Sequence, residues 1–146
     1  MVYRVMTKNG MSLVSGEYVA AGTATAGDVV VLGAGNTFSK AAANATAALG
    51  WVTGDVSTTD VGKSRNVTEA NDLTVVEMQF TGTLPTNPEG KAFGLAVDAG
   101  GVQRVNVGDT TNRLFKLLKV TSNTDSDKRC LVVIPSSRAQ GVLDYA

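Results

Sequence analysis

Apolar residues along this chain come in short runs broken by turn residues, with little of the three-to-four spacing of a helix. Val29-Val30-Val31-Leu32 is too short for a helix and is closed by Gly27-Asp28 before it and Gly33-Ala34-Gly35-Asn36 after it. That pattern predicts a buried strand, with Thr37-Phe38-Ser39-Lys40 as its return. Leu73-Thr74-Val75-Val76-Glu77-Met78-Gln79-Phe80 reads as a second clear strand, and Pro85 and Pro88 make the segment after it a loop. Phe93-Gly94-Leu95-Ala96-Val97 and residues 102–107 flank Asp98-Ala99-Gly100-Gly101 and form a hairpin. Residues 114–120 suit helix or strand; strand is preferred, because Asn123-Thr124-Asp125-Ser126-Asp127 is a hairpin loop and Arg129-Cys130-Leu131-Val132-Val133-Ile134 is the partner it needs. Pro135 ends that strand.

Elsewhere the pattern is weaker. Asn9-Gly10, the pair that best tolerates two positive φ angles, lies between apolar residues and predicts an N-terminal hairpin or arm over residues 1–16. Tyr18-Val19-Ala20-Ala21 leads into turns at Gly22 and Gly27. Residues 40–49 are alanine-rich, which favours helix, but Asn44 and Thr46 oppose it, leaving a loop or one weak helix. A strand is expected around Trp51, and the polar residues 55–72 read as a long surface excursion. Residues 136–146 show little periodicity and read as a C-terminal tail. Eight or nine short strands predict a single all-β domain over residues 1–146, a small antiparallel β-barrel or sandwich with extended terminal segments.

Composition agrees with the pattern. The 146 residues include 21 Val, 17 Thr and 16 Gly but one Ile; Val and Thr are stiff at Cβ and suit a pleated surface. A chain of this length buries about 68–70% of its unfolded surface, enough for a core without disulfides or metals. The absence of His removes the usual general base near neutral pH and the commonest zinc ligand. One Cys, Cys130, makes no internal disulfide. Thirteen basic against 13 acidic residues leave no global field for nucleic acid or an anionic membrane, so neither is expected as a partner. No signal peptide or membrane span is apparent, which predicts synthesis in a reducing cytoplasm.

Each motif that suggests chemistry fails at a named residue. Val29–Gly35 imitates the first strand and glycine turn of a dinucleotide site, with Asp55 about 20 residues beyond, but Phe38 occupies the third glycine position. Gly62-Lys63-Ser64 ends like a phosphate-binding loop, yet Ser57 stands where that motif requires glycine. Asp125-Ser126-Asp127 lacks the glycine and distal glutamate of a calcium loop. Cys130 falls in an apolar strand with no His to activate it. Arg113, Lys116 and Lys119 read as one solvated face. No catalytic residue, cofactor or metal is expected, and the chain reads as a non-enzyme. The remaining candidates are apolar and aromatic residues at the two ends: Val2, Tyr3, Val5 and Met6, then Val142, Leu143 and Tyr145. They either fold back as edge strands or serve as interface arms that add to a neighbouring chain.

The order of Gly22-Thr23-Ala24-Thr25-Ala26-Gly27-Asp28-Val29-Val30-Val31, an Ala-rich link, Gly50-Trp51-Val52 and the Phe93–Val97 hairpin resembles the capsid decoration (cement) proteins of tailed bacteriophages. The resemblance covers roughly residues 18–135 and carries no individual functional residue. It implies a β-barrel-like homo-oligomer, a trimer most often, that docks on the outer surface of a virion, binds the major capsid protein and bridges capsid subunits. A phage tail or fibre module that grips a receptor glycan is the alternative reading.

Overall fold

The computed structural model of the protein describes residues 4–7 and 15–141. Among them are eleven strands: β1 (Arg4–Thr7), β2 (Ser15–Ala20), β3 (Val29–Gly33), β4 (Thr37–Lys40), β5 (Gly50–Val52), β6 (Ser64–Glu69), β7 (Thr74–Thr81), β8 (Ala92–Val97), β9 (Gln103–Asn106), β10 (Phe115–Thr124) and β11 (Asp127–Val133). The fold is all-β, as the pattern predicts, but it is built as two five-stranded barrels, not one. β2-β4-β3-β5-β6 close on themselves, and β7-β11-β10-β8-β9 close through a parallel β7–β9 pairing, with β1 added on β7.

The two barrels are the same barrel twice. In each, the first strand pairs parallel with the third and antiparallel with the fifth, and the second pairs antiparallel with the third and fourth. One correspondence carries every ladder across, pair on pair. Ala20↔Phe38 falls on Phe80↔Val105, and Leu32↔Phe38 on Leu95↔Val105. Likewise Val30↔Gly50 falls on Phe93↔Phe115, Val52↔Val67 on Leu117↔Val132, and Glu17↔Asn66 on Glu77↔Leu131. The turns repeat too. Gly27 N–H donates to Val52 O at 2.8 Å and Gly90 N–H to Leu117 O at 2.7 Å, both glycines at positive φ (88° and 84°). L-residues with a Cβ resist that conformation.

Each barrel has its own interior, and the second extends into a joint with the first. Tyr18, Val30, Phe38, Val52 and Val67 fill the first; Met78, Phe80, Phe93, Leu95, Phe115 and Val132 belong to the second cluster. That second cluster also takes in Val29, Ala41, Ala48, Trp51 and Ala70 from the first barrel. The alternation of β5 explains it: Val52 faces its own barrel while Trp51, fully buried, faces the other.

Two expectations are overturned. Residues 55–72 are not a surface excursion: β6 lies inside that stretch and closes the first barrel between β5 and β2, with Val67, Thr68 and Glu69 buried. Its polar text hides a strand, because Val67 alone supplies the inward apolar group and buried Glu69 accepts a hydrogen bond from Tyr18 Oη. The strand count is also higher than eight or nine, since short β1 and β6 add to it. Residues 41–49 are turns and loop, without helix. β1 pairs with β7, about 70 residues away, as Arg4↔Glu77, Val5↔Val76, Met6↔Val75 and Thr7↔Thr74; Asn9-Gly10 lies outside the described residues. Beyond Pro135, a 3₁₀ turn at Ser136–Arg138 leads to buried Ala139, which bridges to Ala48.

Candidate interaction surface

Three features could mediate recognition: the sheet edges, the joint between barrels and two shallow clefts. On β7, β9 pairs only at Phe80 and Thr81, which leaves the same edge open over Thr74–Glu77; β1 fills it. On β2, β4 pairs only at Val19 and Ala20. Over Ser15, Gly16 and Glu17 no described strand pairs with that edge, and Ser15 and Glu17 are exposed. Val19 N–H reaches Asn36 O at 3.1 Å on this side, so alternation points the N–H of Glu17 and of Ser15 the same way.

The joint is held by Gln103, fully buried at the start of β9. Its Oε1 accepts from Val29 N–H at 2.6 Å, and its Nε2 donates to Val29 O and Ala41 O, both at 3.0 Å. The side chain therefore satisfies backbone groups of the other barrel, which buried peptides require. Nearby, Lys40 Nζ lies 3.3 Å from the buried Asp28 carboxylate and donates to Gly101 O, across the same joint. Gln140 Oε1 accepts from Leu32 N–H at 2.8 Å, tying the chain beyond β11 back to the first barrel.

The clefts hold about 200 Å³ each. One is lined by Gln79, Phe80, Arg104, Asp125, Ser126 and Lys128. Its cations are engaged: Arg104 bonds Asp98 at 2.8 Å, and Lys128 stands 6.0 Å over the Phe80 ring and donates to Gly82 O. The other lies between Arg113 and Arg138 over Leu114, Phe115 and Pro135. Arg113 donates to Thr110 O and Arg138 to Thr46 O.

The titratable groups serve the scaffold. Hydrogen bonds from Arg129 hold the Asp127 carboxyl below its ordinary range, and the same pairing raises Arg129. Arg129 also reaches the buried Glu77 carboxylate at 3.3 Å. Asp98 is lowered chiefly by Arg104, Asp109 by the N–H groups of Asn112 and Thr111, and Asp60 by Ser57. Burial, with Glu77 nearby, pushes the Cys130 thiol up to about 12, so it is a packed hydrophobe and not a nucleophile. Among the described residues no group of three His, Cys, Asp or Glu side chains is placed to hold a metal ion, and no helix is long and apolar enough to cross a membrane.

The structure places two of the seven terminal residues singled out from sequence. Val5 and Met6 lie in β1, opposite Val76 and Val75; Val2, Tyr3, Val142, Leu143 and Tyr145 lie outside the described residues. Sequence reasoning missed Gln103 and the open β2 edge. A Gln alternating with Val105 in the short run Val102-Gln103-Arg104-Val105 was the only trace of the former. The chain matches no family model and no curated protein.

Proposed function

We propose that this chain is a structural virion protein that docks on the outer surface of an assembled phage capsid and stabilises it by bridging neighbouring capsid subunits. The observation that carries the reading is β1: a terminal strand completes an edge that the barrel leaves open, so this scaffold takes up extended segments through its backbone. Two barrels locked together by Gln103 and a shared apolar cluster make a firm platform for such contacts. The resemblance of the Gly22–Val31, Gly50–Val52 and Phe93–Val97 segments to capsid decoration proteins supplies the partner, the major capsid protein. A balanced charge suits recognition by shape and edges more than electrostatic steering.

A trimer bridging several subunits turns later contacts into intramolecular ones, raising avidity by about 10²–10⁴ over single-site affinity. Because it binds the assembled shell and not free subunits, mass action stabilises the shell. The chain is made in the host cytoplasm and acts on the virion, without catalysis or cofactor. Purified protein added to undecorated particles should raise their resistance to heat and chaotrope; no binding and no protection would refute the proposal.

A further inference from the structure

We infer that the open edge of β2 over Ser15–Glu17 is a second strand-acceptor site, and that its occupant is an extended segment of another polypeptide carrying a basic residue opposite Glu17. The repeat of the barrel identifies the place. The correspondence that superposes every ladder sets Glu17 on Glu77 and Gly16 on Val76. In the second barrel that edge carries an antiparallel strand, β1, with Arg4 opposite Glu77 and Val5 opposite Val76. In the first barrel the same edge has no strand among the described residues.

The two edges share an acidic position, buried and bonded by Arg129 at Glu77 and exposed at Glu17. Glu17 and Glu77 are one of only three identical pairs among corresponding strand positions, the others being Leu32 with Leu95 and Val67 with Val132. Glu17 is exposed, and among the described residues no strand covers the backbone N–H that it and Ser15 direct away from β6. The Glu17 carbonyl accepts only a long 3.3 Å bond from Asn36 Nδ2, which an incoming backbone N–H can replace.

This chain's own arm is not the occupant, because β1 already fills the β7 edge. A strand from another polypeptide leaves both edges paired. The inference rests on the proposed bridging role only for which polypeptide supplies the strand, since the site follows from the barrel repeat.

The sequence of the arm is the natural probe, because its register on the equivalent edge is known. A synthetic peptide of residues 2–9 is titrated to millimolar concentration into the isotope-labelled full-length protein, and amide shifts are followed by NMR. Saturable shifts at Ser15 and Glu17 are expected. Glu17→Lys should weaken binding about tenfold, as like charges placed opposite do, and a peptide with Arg4→Glu should restore it. Glu17→Pro, which removes the donor on the open edge together with the carboxylate, should abolish binding; either variant suffices if the other fails to fold. Shifts confined to residues 74–77, signalling exchange with β1, or no saturable shift would overturn the site. Sedimentation showing a concentration-dependent dimer lost in Glu17→Lys would overturn the occupant, giving the edge to a second copy. None of these readings involves capsids, so failure here is separable from failure of the proposed function.

Discussion

Replacing Gln103 with Leu keeps the side-chain volume at the joint and removes its polar atoms. In the native protein those atoms meet Val29 N–H, Val29 O and Ala41 O. Val29 O keeps a bond from Ala41 N–H at 2.9 Å, so the variant orphans two buried backbone groups, one donor and one acceptor. Each costs about 1–3 kcal/mol. The added apolar contact of Leu returns about 1 kcal/mol, leaving a loss of roughly 1–5 kcal/mol. At about 2–4 °C per kcal/mol for a chain of this size, the melting temperature should fall by roughly 2–20 °C. Urea unfolding followed by fluorescence of Trp51, the only tryptophan and a residue of the joint, reads the change directly. Arg104→Ala, next along β9 but paired with Asp98 at the surface, is the control and should cost under about 1 kcal/mol. A Gln103→Leu protein as stable as the native one would refute the idea that this side chain holds the barrels together.

Trp51 Nε1 is buried without a hydrogen-bond partner, so Trp51→Phe should cost under about 1.5 kcal/mol while Trp51→Ala costs about 3–5 kcal/mol, both read from urea midpoints. At Gly50 a Cβ would stand 1.9 Å from Thr68 O, so Gly50→Ala must force β5 off β6; circular dichroism should show a loss of at least about 3 kcal/mol or failure to fold. Cys130 should resist a thiol reagent in the native state and react on unfolding. Its folded pKa lies above the unfolded value, so its contribution is complete below about pH 9 and is lost as the pH rises towards about 12. Asp60, Asp98, Asp109 and Asp127 are shifted the other way. Their contribution is present above the unfolded carboxylate pKa of about 4 and fades as the pH falls through their lower folded values. With no His to titrate, the urea midpoint should be flat from about pH 6 to pH 8 and fall below about pH 4.

The strands that could be read from sequence are those in which apolar runs meet clear turn residues: Val29–Leu32 before Gly33, Phe93–Val97 before Gly100-Gly101, and the pair either side of Asp125. β6 was hidden because Val67 is its one inward apolar group and buried Glu69 stands where an apolar residue is expected, satisfied by Tyr18, while Arg65 is half-exposed and pairs with Asp60. The repeat was hidden for the same reason. Positions that correspond in the two sets of ladders carry Tyr18 and Met78, Lys40 and Val107, Gly50 and Phe115, or Glu69 and Ile134, and loops of unequal length between them erase any fixed period. The first barrel is filled by Tyr18, Phe38 and several valines beside a buried Glu69, the second by Met78, Phe80, Phe93, Leu95 and Phe115, so backbone pairing is common to both while the side chains are not. Of the surface, Val5 and Met6 were legible as an edge strand; their partner β7, far along the chain, was not. Register across a closed ring depends on strands that sequence patterns treat separately.

The proposed role stands or falls on whether the chain distinguishes an assembled shell from its parts. Labelled protein can be titrated against undecorated capsids and, separately, against the same quantity of dissociated capsid subunits, with bound copies counted after sedimentation. Saturation at a fixed number of copies per shell, with little uptake by free subunits, is the expected result. Absence of binding to the shell, or equal binding to shell and subunits, would contradict it.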